Sequence, residues 1–300
     1  MIKNTFCSTL SNRRNDSLIG TATNYNKLLL IEYNKPWTQK AFVDSKIKSL
    51  VKKHVTDFIN LNNVKLLLVK NQDSNENDIQ IFTFNLDPDK NYSNLLVLKK
   101  YEDLLTINLN SYFENQIQPT NNLLYLVCTN GKKDKCCSKF GLPIYQELLK
   151  RNKNAWQCTH FGGDRFAPNI LFLPYSLFFG HITINEVPDF IETVEQNKIY
   201  HTKYRGRSIY DNYEQAAEYF LSTHLNNFSI NGLKLLDSHK LEEYKSVVLF
   251  SSRADDLQYE VEIEKRLSEK LEFLTCNANK ASHIHIFKLL SVRPKQHRTT

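Results

Sequence analysis

Leu123-Leu124-Tyr125-Leu126-Val127-Cys128, followed by Thr129-Asn130-Gly131-Lys132-Lys133-Asp134-Lys135-Cys136-Cys137, is the stretch that decides the reading of this chain. A short apolar run ends on a cysteine, and a polar loop leads from it to two more. Further on comes Trp156-Gln157-Cys158-Thr159-His160-Phe161-Gly162-Gly163-Asp164-Arg165-Phe166-Ala167-Pro168-Asn169. Four of the six cysteines, with a histidine just ahead of a glycine pair, therefore fall on two loops that each follow a strand-like run. A fold gathers soft metal ligands in this way, or poises thiols for redox chemistry.

Working outward, a helix is expected over Leu142–Arg151, then a strand over Ala155–Thr159, the glycine loop, and strands over Ile170–Leu173 and Phe178–Ile184. Another helix opens near Pro188, where proline suits the first turn. A βαβ unit followed by a hairpin and a helix is the thioredoxin order, so residues 121–200 are expected to form a central thioredoxin-like domain. Residues 1–120 read as an α/β region: strands over Lys27–Tyr33, Val64–Val69 and Ile79–Leu86, an amphipathic helix over Phe42–Ile59, a loop over Asn71–Asp78, and a linker-like segment ending at Asn122. Residues 201–300 read as a smaller α/β region. There Tyr204-Arg205-Gly206-Arg207-Ser208 looks like a basic turn before a helix over Asp211–Leu225 capped by Ser208 or Asp211. A strand over Ser246–Ser252, a further helix and a β-like run over His283–Leu290 follow. The fold class is α/β.

The chain has 300 residues, 41% of them apolar, and no apolar run approaches the ~18 residues of a membrane helix. Met1-Ile2-Lys3-Asn4-Thr5-Phe6-Cys7 lacks the apolar core of a secretory signal, which makes the cytoplasm the expected compartment. In a reducing compartment clustered cysteines signify metal or redox chemistry rather than disulfides. Cys7 and Cys276, remote in sequence, read as small apolar fillers. The net charge of +7 is spread along the chain without a long basic run interleaved with aromatics, which disfavours nucleic acid. Lys132, Lys133, Lys135 and Lys139 could instead steer an acidic protein partner.

A thiol at the start of a helix has its thiolate stabilised by the helix dipole and by nearby lysines, and Cys136-Cys137 occupies that place. Neighbouring residues point different ways, so at most one of the two is an easy ligand. Cys158 and His160 are two apart at a strand end and share a face. Cys128, Cys136 or Cys137, Cys158 and His160 would also make a tetrahedral zinc set, although no C-x-x-C spacing is present. Other chemistries lack their residues: there is no G-x-S-x-G elbow, no G-x-x-x-x-G-K-[ST] loop and no strand-end carboxylate pair for glycoside hydrolysis. Trp37 and Trp156 read as core anchors, and His283 with His285 as a strand-surface pair.

With these residues in hand, the chain resembles the sucrase/ferredoxin-like family. Asp16-Ser17-Leu18-Ile19-Gly20-Thr21-Ala22, the Cys128–Cys137 loop, His160-Phe161-Gly162-Gly163-Asp164 through Asn169, and Tyr204-Arg205-Gly206-Arg207-Ser208 carry the resemblance. It implies a [2Fe-2S] electron carrier working with a redox partner protein, rather than a self-contained enzyme. In one branch of the family two loop cysteines and two histidines of an H-x-G-G-H motif hold the cluster. Carried over, Cys128 and Cys137 take the cysteine places and His160 the first histidine place, while Asp164 stands where the second histidine would be. The resemblance thus leaves the fourth place to Cys158, then Cys136, then Asp164, and pairs Asp164 with Arg165 or a loop lysine instead. The alternative is a cluster-free thiol switch or a structural-zinc binding module.

Overall fold

The structure, a computed structural model, describes residues 5–72, 77–119 and 123–295. Met1–Asn4, the middle of the loop read over Asn71–Asp78, and the end of the linker (Thr120, Asn121 and Asn122) lie outside the described residues. The chain opens with α1 (Cys7–Arg14) and a coil strap, then β1 (Lys27–Glu32), α2 (Ser49–Asn62), β2 (Lys65–Lys70), β3 (Ile79–Asn85), β4 (Tyr92–Leu98) and a short α3 (Leu109–Glu114). The helix expected from Phe42 begins only at Ser49. Before it, the Ser45 hydroxyl donates to the Phe42 carbonyl and the Lys46 amide to the Tyr33 hydroxyl. These local bonds hold the backbone in turns.

The second stretch is β5 (Leu124–Cys128), α4 (Lys135–Lys150), β6 (Ala155–Cys158), β7 (Asn169–Leu173), β8 (Leu177–Gly180), α5 (Val187–Glu195) and β9 (Tyr204–Arg207). The last of these replaces the expected basic turn: Arg205 and Arg207 are buried on a strand. Then come α6 (Asn212–His224), β10 (Leu233–Glu242), β11 (Lys245–Ser252), β12 (Gln258–Glu272) and β13 (Ser282–Lys295). The further helix expected after Ser252 is the strand β12. Tyr259, Val261 and Ile263 are buried and alternate with Glu260, Glu262 and Glu264, a period of two that suits a half-covered strand.

Among the described residues nine strands form one sheet, ordered β4-β3-β1-β2-β6-β5-β7-β8-β9. Within it, β5 and β6 run parallel, β7 antiparallel to β5, and β8 antiparallel to β7. With α4 as the crossover and α5 following, this is the thioredoxin arrangement. The first stretch repeats it: β1 and β2 are parallel, β3 pairs antiparallel with β1, and β4 with β3. The two units meet where β2 and β6 pair antiparallel at their last residues, Val69 opposite Cys158 and Lys70 opposite Gln157. The ends of four strands therefore stand in one row: Glu32 beside Val69, Val69 beside Cys158, and Cys158 beside Cys128.

Side-chain alternation sorts the core into layers. Leu28, Leu30, Leu67, Val69, Leu124, Leu126, Cys128 and Cys158 share one cluster on one face. On the other face Tyr125 and Val127 pack on Ile144, Tyr145 and Leu148 of α4, while Leu29 and Ile31 pack on Val51 and Val55 of α2. Trp37 and Trp156 are both buried. A smaller antiparallel sheet, ordered β10-β11-β12-β13, covers α6 through Val248, Phe250, Val261 and Ile263. Asp211 caps α6 by accepting from the Tyr213 and Glu214 amides. Among the described residues no helix is long and apolar enough to cross a membrane.

Helix α4 starts well before the expected Leu142 and runs through both Gly141 and Pro143. Its start is fixed by Asp134, whose carboxylate accepts the Cys136 amide at 2.8 Å. Gly141 has a packing role, because a Cβ there would run into the Cys128 carbonyl oxygen. The helix can lie against the end of β5 only without that side chain. Gly141→Ala is therefore expected to lower stability by ~1–3 kcal/mol despite alanine's better helix propensity. A urea midpoint no lower than that of the parent would show that the helix can shift at no cost.

Candidate metal centre

Cys128 closes β5, Cys137 lies in the first turn of α4, and His160 and Asp164 sit on the loop after β6. Helix and loop bring them together at the carboxy end of the parallel pair. The His160 Nδ1 lies 3.9 Å from the Cys128 Sγ and 3.8 Å from the Cys137 Sγ. The Asp164 Oδ1 is 3.1 Å from the same nitrogen and accepts from the Cys137 thiol at 3.6 Å. Among the described residues Cys128, Cys137 and His160 have ligand atoms within 4.8 Å of one another and could hold a metal ion. Cys158 is fully buried in the same apolar cluster as Cys128 and Cys137, beside Cys128 across the strands, and neither it nor Asp164 belongs to that group. Cys136, adjacent to Cys137, turns away toward Cys7 and Cys276. Asp164 faces His160 and Cys137 and not Arg165, whose guanidinium lies 3.7 Å from Asp16.

The loop is held open by glycine and shut by arginine. Gly162 and Gly163 take φ of +102° and +83°, values that favour residues without a Cβ. At Gly163 a Cβ would also stand 2.6 Å from the Arg205 guanidinium carbon. Arg205, 1% exposed, donates to the Asn169 Oδ1 at 2.7 Å, to the Thr21 carbonyl at 2.5 Å and to the Thr21 hydroxyl at 3.2 Å. The Asn169 amide donates in turn to the Gly163 carbonyl at 2.8 Å, and the Thr23 hydroxyl to the Phe161 carbonyl at 2.6 Å. Strap, glycine loop and β9 are thus one polar clamp behind His160.

The two thiols titrate as a pair. The hydrogen bond from Cys137 holds Cys128 down at about 5, helped by His160, while the Cys137 thiol is pushed up by that same bond and by burial. One thiolate therefore stands ready at neutral pH, the form that binds metal. Burial opposes charge on His160, but the Cys128 bond and the charges of Cys128 and Asp164 outweigh it and raise its pKa. Burial lifts Asp164 to about 6. Cys158 is raised well above the usual thiol range, first by burial. Two sulfurs, an imidazole and a carboxylate suit iron or zinc.

Behind the loop, His181 packs edge-on to Phe166 at 5.7 Å and meets the Ser11 hydroxyl at 3.3 Å. Burial and the nearby Lys203 lower its pKa from 6.5 to about 4. The unfolded chain binds a proton below pH 6.5 that the folded one refuses, so stability is complete above that pH and is lost as the pH falls toward 4. About 2 kcal/mol should disappear between pH 7 and 5. His181→Asn, which keeps a residue tolerant of the local φ of +56°, should flatten that part of the profile. Parallel urea slopes for parent and variant over this window would exclude His181 as the cause.

Over 108 residues the chain is 28% identical to a protein of Meyerozyma guilliermondii named altered inheritance of mitochondria protein 32. The aligned part covers 32% of this chain and 38% of that relative's length. A thioredoxin-like [2Fe-2S] ferredoxin from Aquifex aeolicus aligns over 29% of this chain and 94% of its own, at 9% identity and a TM-score of 0.27. The thioredoxin order here is read from the strands themselves. A family match runs from Leu18 to Gly206, from the strap that Arg205 clamps to the strand that carries it, and it makes this chain a member of the sucrase/ferredoxin-like family.

Proposed function

We propose that this protein carries electrons on a [2Fe-2S] cluster held by Cys128, Cys137 and His160, with Asp164 in the fourth place. The observation that carries the proposal is the cysteine pair with one ready thiolate, facing an imidazole and a carboxylate on a clamped loop. Asp164 is preferred to Cys158 because its oxygen already touches both His160 and Cys137. Bound there, the cluster supplies one-electron uptake and release, at a potential above that of all-cysteine plant-type ferredoxins because of the imidazole. His160, with 19% of its side chain exposed against 8% for Asp164, is the donor nearest to solvent and marks the side a partner approaches. Lys132, Lys135 and Lys139 are exposed around the same loop and favour an acidic redox partner. A reducing compartment such as the cytoplasm keeps the thiols free for iron.

The test is a visible spectrum with iron and acid-labile sulfide analysis on protein purified without oxygen. Charge-transfer bands with about two irons and two sulfides per chain are expected. A colourless protein holding zinc at these residues, even after reconstitution, would replace the electron carrier with a structural-zinc module.

A further inference from the structure

Cys7 and Cys276, read from sequence as apolar fillers, are brought together with Cys136. Their sulfurs lie 3.4 Å (Cys7–Cys136), 3.2 Å (Cys136–Cys276) and 3.6 Å (Cys7–Cys276) apart. The Asp134 carboxylate stands over them, 4.0 Å from the Cys7 Sγ. It is fully buried, and among the described residues no lysine, arginine or histidine forms an ion pair with it. Its oxygens accept the Cys136 amide at 2.8 Å and the Cys276 amide at 2.7 Å, which leaves each a lone pair facing the sulfurs.

We infer that Cys7, Cys136, Cys276 and Asp134 form a second metal centre, a closed structural site for Zn²⁺ separate from the Cys128–Cys137–His160 group. Zinc held by sulfur at ~2.3 Å places tetrahedral neighbours about 3.8 Å apart, close to the spacing of these three sulfurs. A disulfide would use two of them and strand the third beside a buried carboxylate. Backbone amides already point at the sulfurs, Ser8 to Cys136 at 3.4 Å and Cys7 to Cys276 at 3.5 Å, as donors that favour thiolate. A divalent cation would also compensate the buried charge of Asp134. The site joins α1, the start of α4 and the loop between β12 and β13, three segments that are far apart in sequence. It also accounts for adjacent cysteines at the head of α4: Cys136 serves this centre, and Cys137 faces the other.

The test uses full-length protein carrying Cys128→Ser and Cys137→Ser, so that its result is independent of the proposed cluster. Titrated anaerobically with Co²⁺, it should bind one ion per chain with thiolate-to-metal and tetrahedral cobalt bands, and one equivalent of Zn²⁺ should bleach them. Adding Cys276→Ser, on a half-buried loop residue whose loss leaves the core intact, should weaken binding at least ~100-fold, beyond what loss of an outer-sphere partner causes. The thermal midpoint of the Zn²⁺-loaded Cys128→Ser, Cys137→Ser protein should fall on chelation, and that of the same protein with Cys276→Ser added should not. Absence of thiolate bands, equal binding by the Cys276→Ser protein, or an intact mass two hydrogens low from a disulfide among these three cysteines would each overturn the site.

Discussion

Cys137→Ser will leave the protein without iron, while Cys136→Ser, one residue earlier, will leave its iron untouched. The two side chains leave the same helix turn in different directions. Cys137 meets His160 at 3.8 Å and Asp164 at 3.6 Å, and Cys136 meets Cys7 and Cys276. Serine keeps the size but not the soft, readily ionised donor that iron–sulfur ligation requires. The expected fall is from about two irons per chain to nearly none, with loss of the visible bands. Cys128→Ser should match it. Asp164→Ala should lose the cluster and Cys158→Ala should retain it, and the reverse result would move the fourth ligand to Cys158. Asp164→His, which restores the family's second histidine, should keep the cluster. Its potential should rise, because a carboxylate beside the iron resists an added electron more than a neutral imidazole does. Retention of full iron by Cys137→Ser would remove the central claim of the electron-carrier reading.

Glu218→Ala is expected to be the most destabilising of these substitutions. Glu218, 1% exposed on α6, pairs with the Arg207 Nε at 2.6 Å and accepts the Tyr204 hydroxyl at 2.5 Å. Arg207 also donates to the Ile230 carbonyl. Both arginine and glutamate are withdrawn from water where β9 meets α6, the junction between the large and small sheets. Removing one partner strands the other charge, at a cost of ~3–5 kcal/mol. Replacing both, as in Arg207→Met with Glu218→Leu, should cost much less than the two single changes together. Urea denaturation of the four proteins closes the cycle. Additive losses would mean that the two charges are solvated independently.

The central site was legible because its signals are local. A strand ending on Cys128, a helix start at Cys136-Cys137 and a glycine pair after His160 each appear within a few residues. The range expected for α4 began only at Leu142, although its head was also read at Cys136-Cys137; the helix runs unbroken from Lys135 through Gly141 and Pro143, and Gly141 is where it packs against the Cys128 carbonyl. The grouping of Cys7, Cys136 and Cys276 could not be read, since those residues are separated by more than a hundred positions and no spacing links them. Arg205 was missed for a different reason. Tyr-Arg-Gly-Arg reads as a basic turn, and burial of its arginines depends on the Thr21 strap, distant in sequence, and on Glu218, 11 residues beyond Arg207 on the next helix. Asp164 was noticed but given the wrong neighbour, because the turn through Gly162 and Gly163 carries it back onto His160.

The repeated strand order has a consequence for how this protein behaves at high concentration. In a lone thioredoxin-like unit the second strand would lie on an open flank, its amides and carbonyls available to any passing chain. Here β2 and β6 each occupy the other's flank. The two outermost strands are also covered by coil. The Leu95 amide of β4 donates to the Gln118 carbonyl, and the strap meets β9, with the Thr21 amide donating to Arg205 and the Tyr25 amide to Ser208 just beyond it. The nine-stranded sheet is in this way left with little free margin for edge-to-edge pairing, and the segment that covers β4 sets Pro119 opposite Asn94.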